Sequence, residues 1–178
     1  MYRKKIIVLL GSTKADSVNR KIVDYFIQKT QSFFEVALFP LETLPYFNPD
    51  LDGDLTPTPV LEFREKIAQA DGVLISTPEY VFSIPGVLKN ALEWTVSTIV
   101  FNQKPTAIIT AASSGKIAHE SIQLIMKTIG ALLEDSCVVL IGSPKSKIDT
   151  NGVITNKEQE QVLISLIQDF QAQLNSKS

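Results

Sequence analysis

Hydrophobic and polar positions alternate between two patterns along the chain. Residues 5–10 are an almost unbroken β-branched and leucine run behind a basic lead-in, as expected of a parallel strand buried on both faces. Residues 17–31 then place Ile22, Phe26 and Ile27 along one side of a helix. Residues 34–39 predict a second strand, stopped by Pro40, and 60–70 a helix in which Leu61, Arg64, Ile67 and Ala68 share a face. A third strand over 71–76 leads to a helix over 85–96, opened by a proline at its first turn, where the missing N–H costs nothing. Residues 106–111 predict a strand, 117–132 a helix and 138–141 a fifth strand. The chain closes with an amphipathic helix over 156–174, whose stripe holds Val162, Leu163, Leu166, Ile167 and Phe170. Residues 175–178 are expected to fray.

Five strands and five helices in strict alternation predict an α/β doubly wound parallel sheet, and residues 1–178 suit one domain. The stretch 41–59 interrupts the rhythm with four prolines and one glycine. A connection that long is a functional loop, an interface element or a surface excursion. Sheets of this class bind ligands outside the carboxyl ends of their strands, at the switch point in strand order. That rule singles out three loops: 11–19, 77–86 and 112–116.

Composition narrows the chemistry those loops can do. The chain has 178 residues, one cysteine and one histidine, which excludes an intrachain disulfide framework, a Cys-rich metal site and a multi-His site. A net charge of −2 gives no electrostatic reason to bind nucleic acid or an anionic membrane. No segment approaches the roughly 20 apolar residues of a membrane span, and the apolar run after the basic start ends at Gly11-Ser12 with no cleavage pattern, so the cytoplasm is the expected compartment. Cys137 reads as a buried small hydrophobe, and Asp50, Asp52 and Asp54 as a solvated loop rather than a calcium site. His119 has no nucleophile motif near it and is expected in the first turn of the fourth helix, in a structural role or, as the lesser alternative, positioning a ligand or substrate.

The first loop reads Gly11-Ser12-Thr13-Lys14-Ala15-Asp16-Ser17-Val18-Asn19. Hydroxyls, one cation and the free N–H groups at a helix start suit a phosphate, although Ser17 or Asp16 could equally just cap the helix. It is neither a dinucleotide fingerprint nor a P-loop. The second loop carries Pro78, Glu79, Tyr80, Val81 and Phe82, a rigid backbone with planar rings. Such a shelf suits a planar heteroaromatic ligand, or else covers a core edge or a subunit contact. Ser113, Gly115 and Lys116 lie on the third loop, which could also be an ordinary strand-to-helix turn.

The run Pro78-Glu79-Tyr80, continued by Ser83-x-Pro85-Gly86-x-Leu88-Lys89-Asn90-Ala91-x-Glu93-Trp94, resembles the long signature of the NAD(P)H-dependent FMN reductase family. Gly11-Ser12 followed by Ser17-x-Asn19 resembles that family's phosphate loop, and the likeness extends over residues 5–141. The resemblance implies a flavodoxin-like sheet of order 2-1-3-4-5 and non-covalent FMN. It places Ser12, Lys14, Ser17 and Asn19 at the phosphate, Pro78, Glu79, Tyr80, Val81 and Phe82 along the isoalloxazine, and Ser113 and Gly115 at its pyrimidine end. Lys14 stands where the family carries arginine and Val81 where it carries asparagine, which is expected to alter FMN affinity or flavin electronics. Lys116 is a candidate for stabilising charge on the reduced ring. The implied activity passes hydride from NADH or NADPH through FMN to a small acceptor: a quinone, an azo or nitro compound, chromate or free flavin. No catalytic side chain is needed. A homodimer or homotetramer is expected, with the 41–59 loop and the third helix at the contact; Lys89, Asn90 and Glu93 suit that contact, and Trp94 either joins it or belongs to the core. The competing readings are a flavodoxin-type electron carrier fed by a protein partner and a signalling module without turnover.

Overall fold

The computed structural model describes residues 3–149 and 151–176, so Met1, Tyr2, Thr150, Lys177 and Ser178 lie outside the described residues. Five parallel strands, β1 (Lys4–Leu10), β2 (Phe34–Phe39), β3 (Gly72–Thr77), β4 (Thr106–Ala112) and β5 (Val138–Gly142), form one sheet of order β2-β1-β3-β4-β5. The expected order is therefore the observed one. The switch lies at β1: the chain steps outward to β2, then crosses back to β3, so the carboxyl ends of β1 and β3 diverge around a crevice. All six residues of β3 are buried, and Ile6–Leu9 of β1 likewise, which accounts for their lack of polar alternation.

The helices are α1 (Val18–Thr30), α2 (Thr58–Gln69), α3 (Gly86–Glu93), α4 (Lys116–Thr128) and α5 (Lys157–Asn175). One apolar layer packs α1 and α5 against Ile6, Val8, Leu74, Ala107 and Ile109. The other packs α2, α3 and α4 against Ile7, Leu9, Val73, Ile75 and Ile108. Odd and even strand positions thus feed opposite cores, as a period of two requires. On α2 the buried face is Val60, Phe63 and Ile67, while Leu61 is exposed. The helix is rotated from the expected face because the bulky Phe63 ring packs against Phe39 at the end of β2. Helix α4 stops four residues early, where Gly130 N donates to Lys127 O and Ala131 N to Met126 O, the paired bonds of a Schellman ending. Helix α5 runs to Asn175, so fraying does not begin at that residue.

The 41–59 connection is not a free excursion. It contains two short 3-10 turns, Leu41–Thr43 and Pro49–Leu51, with Leu41 and Leu44 buried. Asn90 of α3 accepts from Phe47 N at 2.7 Å and donates to Pro45 O at 3.0 Å, and Trp94 Nε1 donates to the same carbonyl at 2.8 Å. Trp94 itself is fully buried, with the Phe47 ring edge-on against it. Asp52 is not solvated as expected: it pairs with Arg64 at 2.8 Å while Arg64 Nε donates to Trp94 O at 2.7 Å. Hydrogen bonds from Ser97 and Arg64 hold the Asp52 carboxyl below the usual aspartate range.

Candidate functional site

Above the carboxyl ends of β1, β3, β4 and β5 lies a cavity of about 470 Å³. Its first wall is the β1–α1 loop. Gly11 opens that loop because a Cβ there would stand 2.7 Å from Thr77 Oγ1, so only glycine lets β1 and β3 close up beneath the crevice. Ser17 is the N-cap of α1: its Oγ accepts from Arg20 N at 3.0 Å, which still leaves the hydroxyl proton to donate outward. The remaining N–H groups of the first turn give this end of the cavity its partial positive charge.

Ser12, Lys14, Ser17 and Asn19 all line this cavity. Ser12 is 6% exposed and its Oγ has no hydrogen-bond partner within the described chain, an orphaned polar group that a ligand oxygen would satisfy. Asn19 is engaged internally. Its amide donates to Ala111 O at 3.1 Å and accepts from Ser76 Oγ at 3.1 Å, tying the first turn of α1 to β3 and β4. Asp16 faces the cavity with its charge met by Lys21 at 2.9 Å, and that pairing lowers its pKa. Lys14 makes no ion pair among the described residues. It also lines a second cavity across the loop, beside Arg20, Phe39, Pro40 and Glu42.

The second wall is the β3–α3 loop. Pro78, Glu79 and Tyr80 line the cavity, but Val81 and Phe82 do not. They form the tip of a tight turn closed by Tyr80 N to Ser83 O (2.9 Å) and Ser83 N to Tyr80 O (3.0 Å), with φ of 51° and 55°. Two successive residues in the left-handed region, each with a Cβ, make a strained turn. The tip is left bare, with Val81 95% and Phe82 74% exposed.

Glu79 does something the sequence did not reveal. Its carboxylate accepts from Gly115 N at 3.3 Å and Ala118 N at 2.9 Å, sitting on the N-terminus of α4. The negative charge meets the positive end of that helix and latches the second loop to the third. Gly115, with φ of +79°, is the N-terminal flanking residue of α4 and is not itself in the cavity wall. A Cβ there would meet Leu140 Cδ1 at 2.8 Å. Ser113 does reach the cavity, with Ala111 and Ala112. Lys116 does not: its ammonium lies 3.9 Å from Glu120. His119 sits in the first turn of α4 with Nδ1 2.9 Å from Thr110 Oγ1, and burial lowers its pKa. Cys137 is fully buried, and desolvation pushes its thiol up to about 11.

A fourth wall carries no motif and went unforeseen: residues 143–146, after β5, close the cavity with Ser143, Pro144, Lys145 and Ser146. The only sequence signal there is a Gly-Ser-Pro turn at a strand end, which says nothing of what it faces.

A hydroxyl-lined pocket with the buried orphan oxygen of Ser12, the start of α1 and the Tyr80 ring on its walls fits a phosphorylated planar ring such as FMN. Comparison with known proteins agrees. The family model for NADPH-dependent FMN reductase matches residues 4–147. A 2-hydroxy-1,4-benzoquinone reductase from a Burkholderia species is 34% identical over 94% of each chain. An NAD(P)H:quinone oxidoreductase from Solanum tuberosum is 31% identical over 94% of this chain and 91% of its own. Among solved structures, FerB, a flavoenzyme NAD(P)H:(acceptor) oxidoreductase from Paracoccus denitrificans, superposes with a TM-score of 0.80 at 25% identity, covering 97% of this chain and 98% of its own. The glycine-opened loop, the proline-flanked shelf and the sheet that carries them thus have one common source: the chain belongs to the NADPH-dependent FMN reductase family and is an oxidoreductase that works with FMN and NAD(P)H.

Proposed function

We propose that the acceptor is a small quinone. The observation that carries this reading is the bare aromatic turn at the mouth of the cavity, where Tyr80 is 52% exposed beside the more exposed Phe82. A flat apolar rim admits a flat uncharged ring from solvent and holds it without burying a charge. The Burkholderia 2-hydroxy-1,4-benzoquinone reductase and the Solanum NAD(P)H:quinone oxidoreductase support the same class.

In this reading the β1–α1 loop holds the FMN phosphate through Ser12, Ser17, Lys14 and the first N–H groups of α1. Asn19 positions that loop and does not serve as a direct ligand. Pro78 and Tyr80 flank the ring, while Glu79 and Gly115 set the distance between the two loops. FMN held there would supply the hydride-transfer chemistry between nicotinamide and acceptor. The chain binds, orients and limits water at one edge, and no side chain is required to move a proton for hydride transfer.

The molecule works as a homodimer or homotetramer in the cytoplasm. An apolar groove of about 250 Å³ between α3 and α4, lined by Leu92, Val96, Leu124 and Ile129, supports burial against a second copy. Among the described residues no helix is long and apolar enough to cross a membrane.

The test is steady-state oxidation of NADH and of NADPH by FMN-loaded protein, with 1,4-benzoquinones, an azo dye, chromate and free flavin as parallel acceptors. The expected result is that a quinone gives the highest kcat/KM. Turnover with the other acceptors but none with quinones overturns the reading.

A further inference from the structure

The β5–α5 connection forms one side of the cavity, yet no motif of the family resemblance falls on it. It is a rigid wall. Ser143 turns the chain in the left-handed region (φ 48°, ψ 51°) while its N–H donates to Ala112 O at 3.1 Å. The 3-10 turn Pro144–Ser146 follows, with Pro144 buried and Ser146 Oγ donating to Ser143 O at 2.8 Å. Beyond it, Ile148 enters the core, and a Cβ on Gly152 would stand 3.5 Å from the side chain of Lys21. The connection therefore packs against the first turn of α1, which is the phosphate end of the cavity.

Charge is unevenly matched at that end. Lys21 is paired with Asp16, Arg20 with Asp24, and Lys147 donates to Gln159 Oε1. Lys14 and Lys145 line the cavity, and among the described residues neither enters an ion pair or a hydrogen bond. A phosphomonoester carries about −2 at neutral pH, whereas a helix start supplies about +0.5, so Lys14 alone leaves the group under-neutralised. Lys14 is also shared with the second cavity, while Lys145 lines the first only.

We infer that Lys145 is the second phosphate-binding cation of this site, reaching the FMN phosphate from the β5–α5 side of the cavity. The assignment rests on the FMN reading above.

The experiment titrates full-length wild-type, Lys145→Ala and Lys145→Arg protein with FMN and with riboflavin, following flavin fluorescence at low and moderate salt. Riboflavin shares the ring and ribityl chain but lacks the phosphate. Lys145→Ala is expected to raise the FMN Kd roughly tenfold, to leave the riboflavin Kd unchanged, and to flatten the salt dependence of FMN binding. Lys145→Arg keeps wild-type affinity to within a few-fold. Because Lys145 is exposed, both variants fold. An alanine variant that changes neither Kd, or both equally, overturns the assignment while leaving the FMN site standing. Wild-type protein that binds FMN no better than riboflavin overturns the phosphate cradle itself, and the assignment with it.

Discussion

Val81 and Phe82 occupy a backbone conformation that glycine and asparagine adopt freely and that other side chains resist, the β-branched Val81 above all, at about 1–2 kcal/mol per residue. Such strain persists only where the surroundings impose it, here two hydrogen bonds between Tyr80 and Ser83. Replacing Val81 by asparagine should therefore stabilise the protein by about 1 kcal/mol, read as a higher urea midpoint at constant m-value. An unchanged or lower midpoint would show that the turn carries no strain. Gly115 is the opposite case. Gly115→Ala forces a Cβ into Leu140 at positive φ, and a loss of about 2 kcal/mol is expected by the same measurement.

Two elements depend on contacts that bridge one segment to another. Glu79 belongs to the β3–α3 loop but caps α4, so Glu79→Gln removes a charge from a helix start and keeps the shape. It should cost about 1 kcal/mol of stability and weaken FMN binding several-fold. Riboflavin binding should weaken in parallel, which separates this latch from a phosphate contact. The 41–59 connection depends likewise on Asn90. Truncation to alanine leaves Phe47 N–H unpaired and takes a donor from Pro45 O, at about 1–3 kcal/mol. Limited proteolysis should then cut within 45–55 faster than in wild type, and equal rates would mean that Arg64 and Trp94 hold the segment without it.

Over the whole molecule, His119 and Asp52 bear on the acid limb of stability, beside the exposed Asp16 paired with Lys21. His119 has its pKa lowered, chiefly by burial, so the unfolded chain binds the proton first. Its contribution is complete above the ordinary value of 6.5 and is lost as pH falls from there through the depressed folded value. Asp52 is also lowered, by Ser97 and Arg64, so its contribution is present above 3.8 and disappears as pH falls through the folded value. Unfolding free energy should therefore decline in two acid windows. His119→Gln should flatten the upper one and Asp52→Asn the lower. An upper window unchanged in His119→Gln protein would remove His119 from the account.

Much of this molecule was legible in one dimension, because the forces responsible are local or periodic. Strand runs, helix faces and the Pro85 helix start follow from side-chain spacing and backbone sterics, and the alternation of strand and helix forces a parallel sheet. The cradle around Ser12 and Ser17 is legible for the same reason: loop, cap and helix start are contiguous. Spacing within α2 points to the wrong face because Phe39 of β2 decides which side is buried. Glu79 read as a ring contact, although its partner helix begins beyond β4, and nothing near either residue announces the latch. Lys145 and Ser143 became part of the site only because β5 lies beside β4 and carries its loop up to the first turn of α1. The sequence alone determined the elements and the residue types available at the ligand edge. Tertiary structure decided which of those residues share a wall and which charges are already neutralised, since both depend on distances that separation along the chain does not encode.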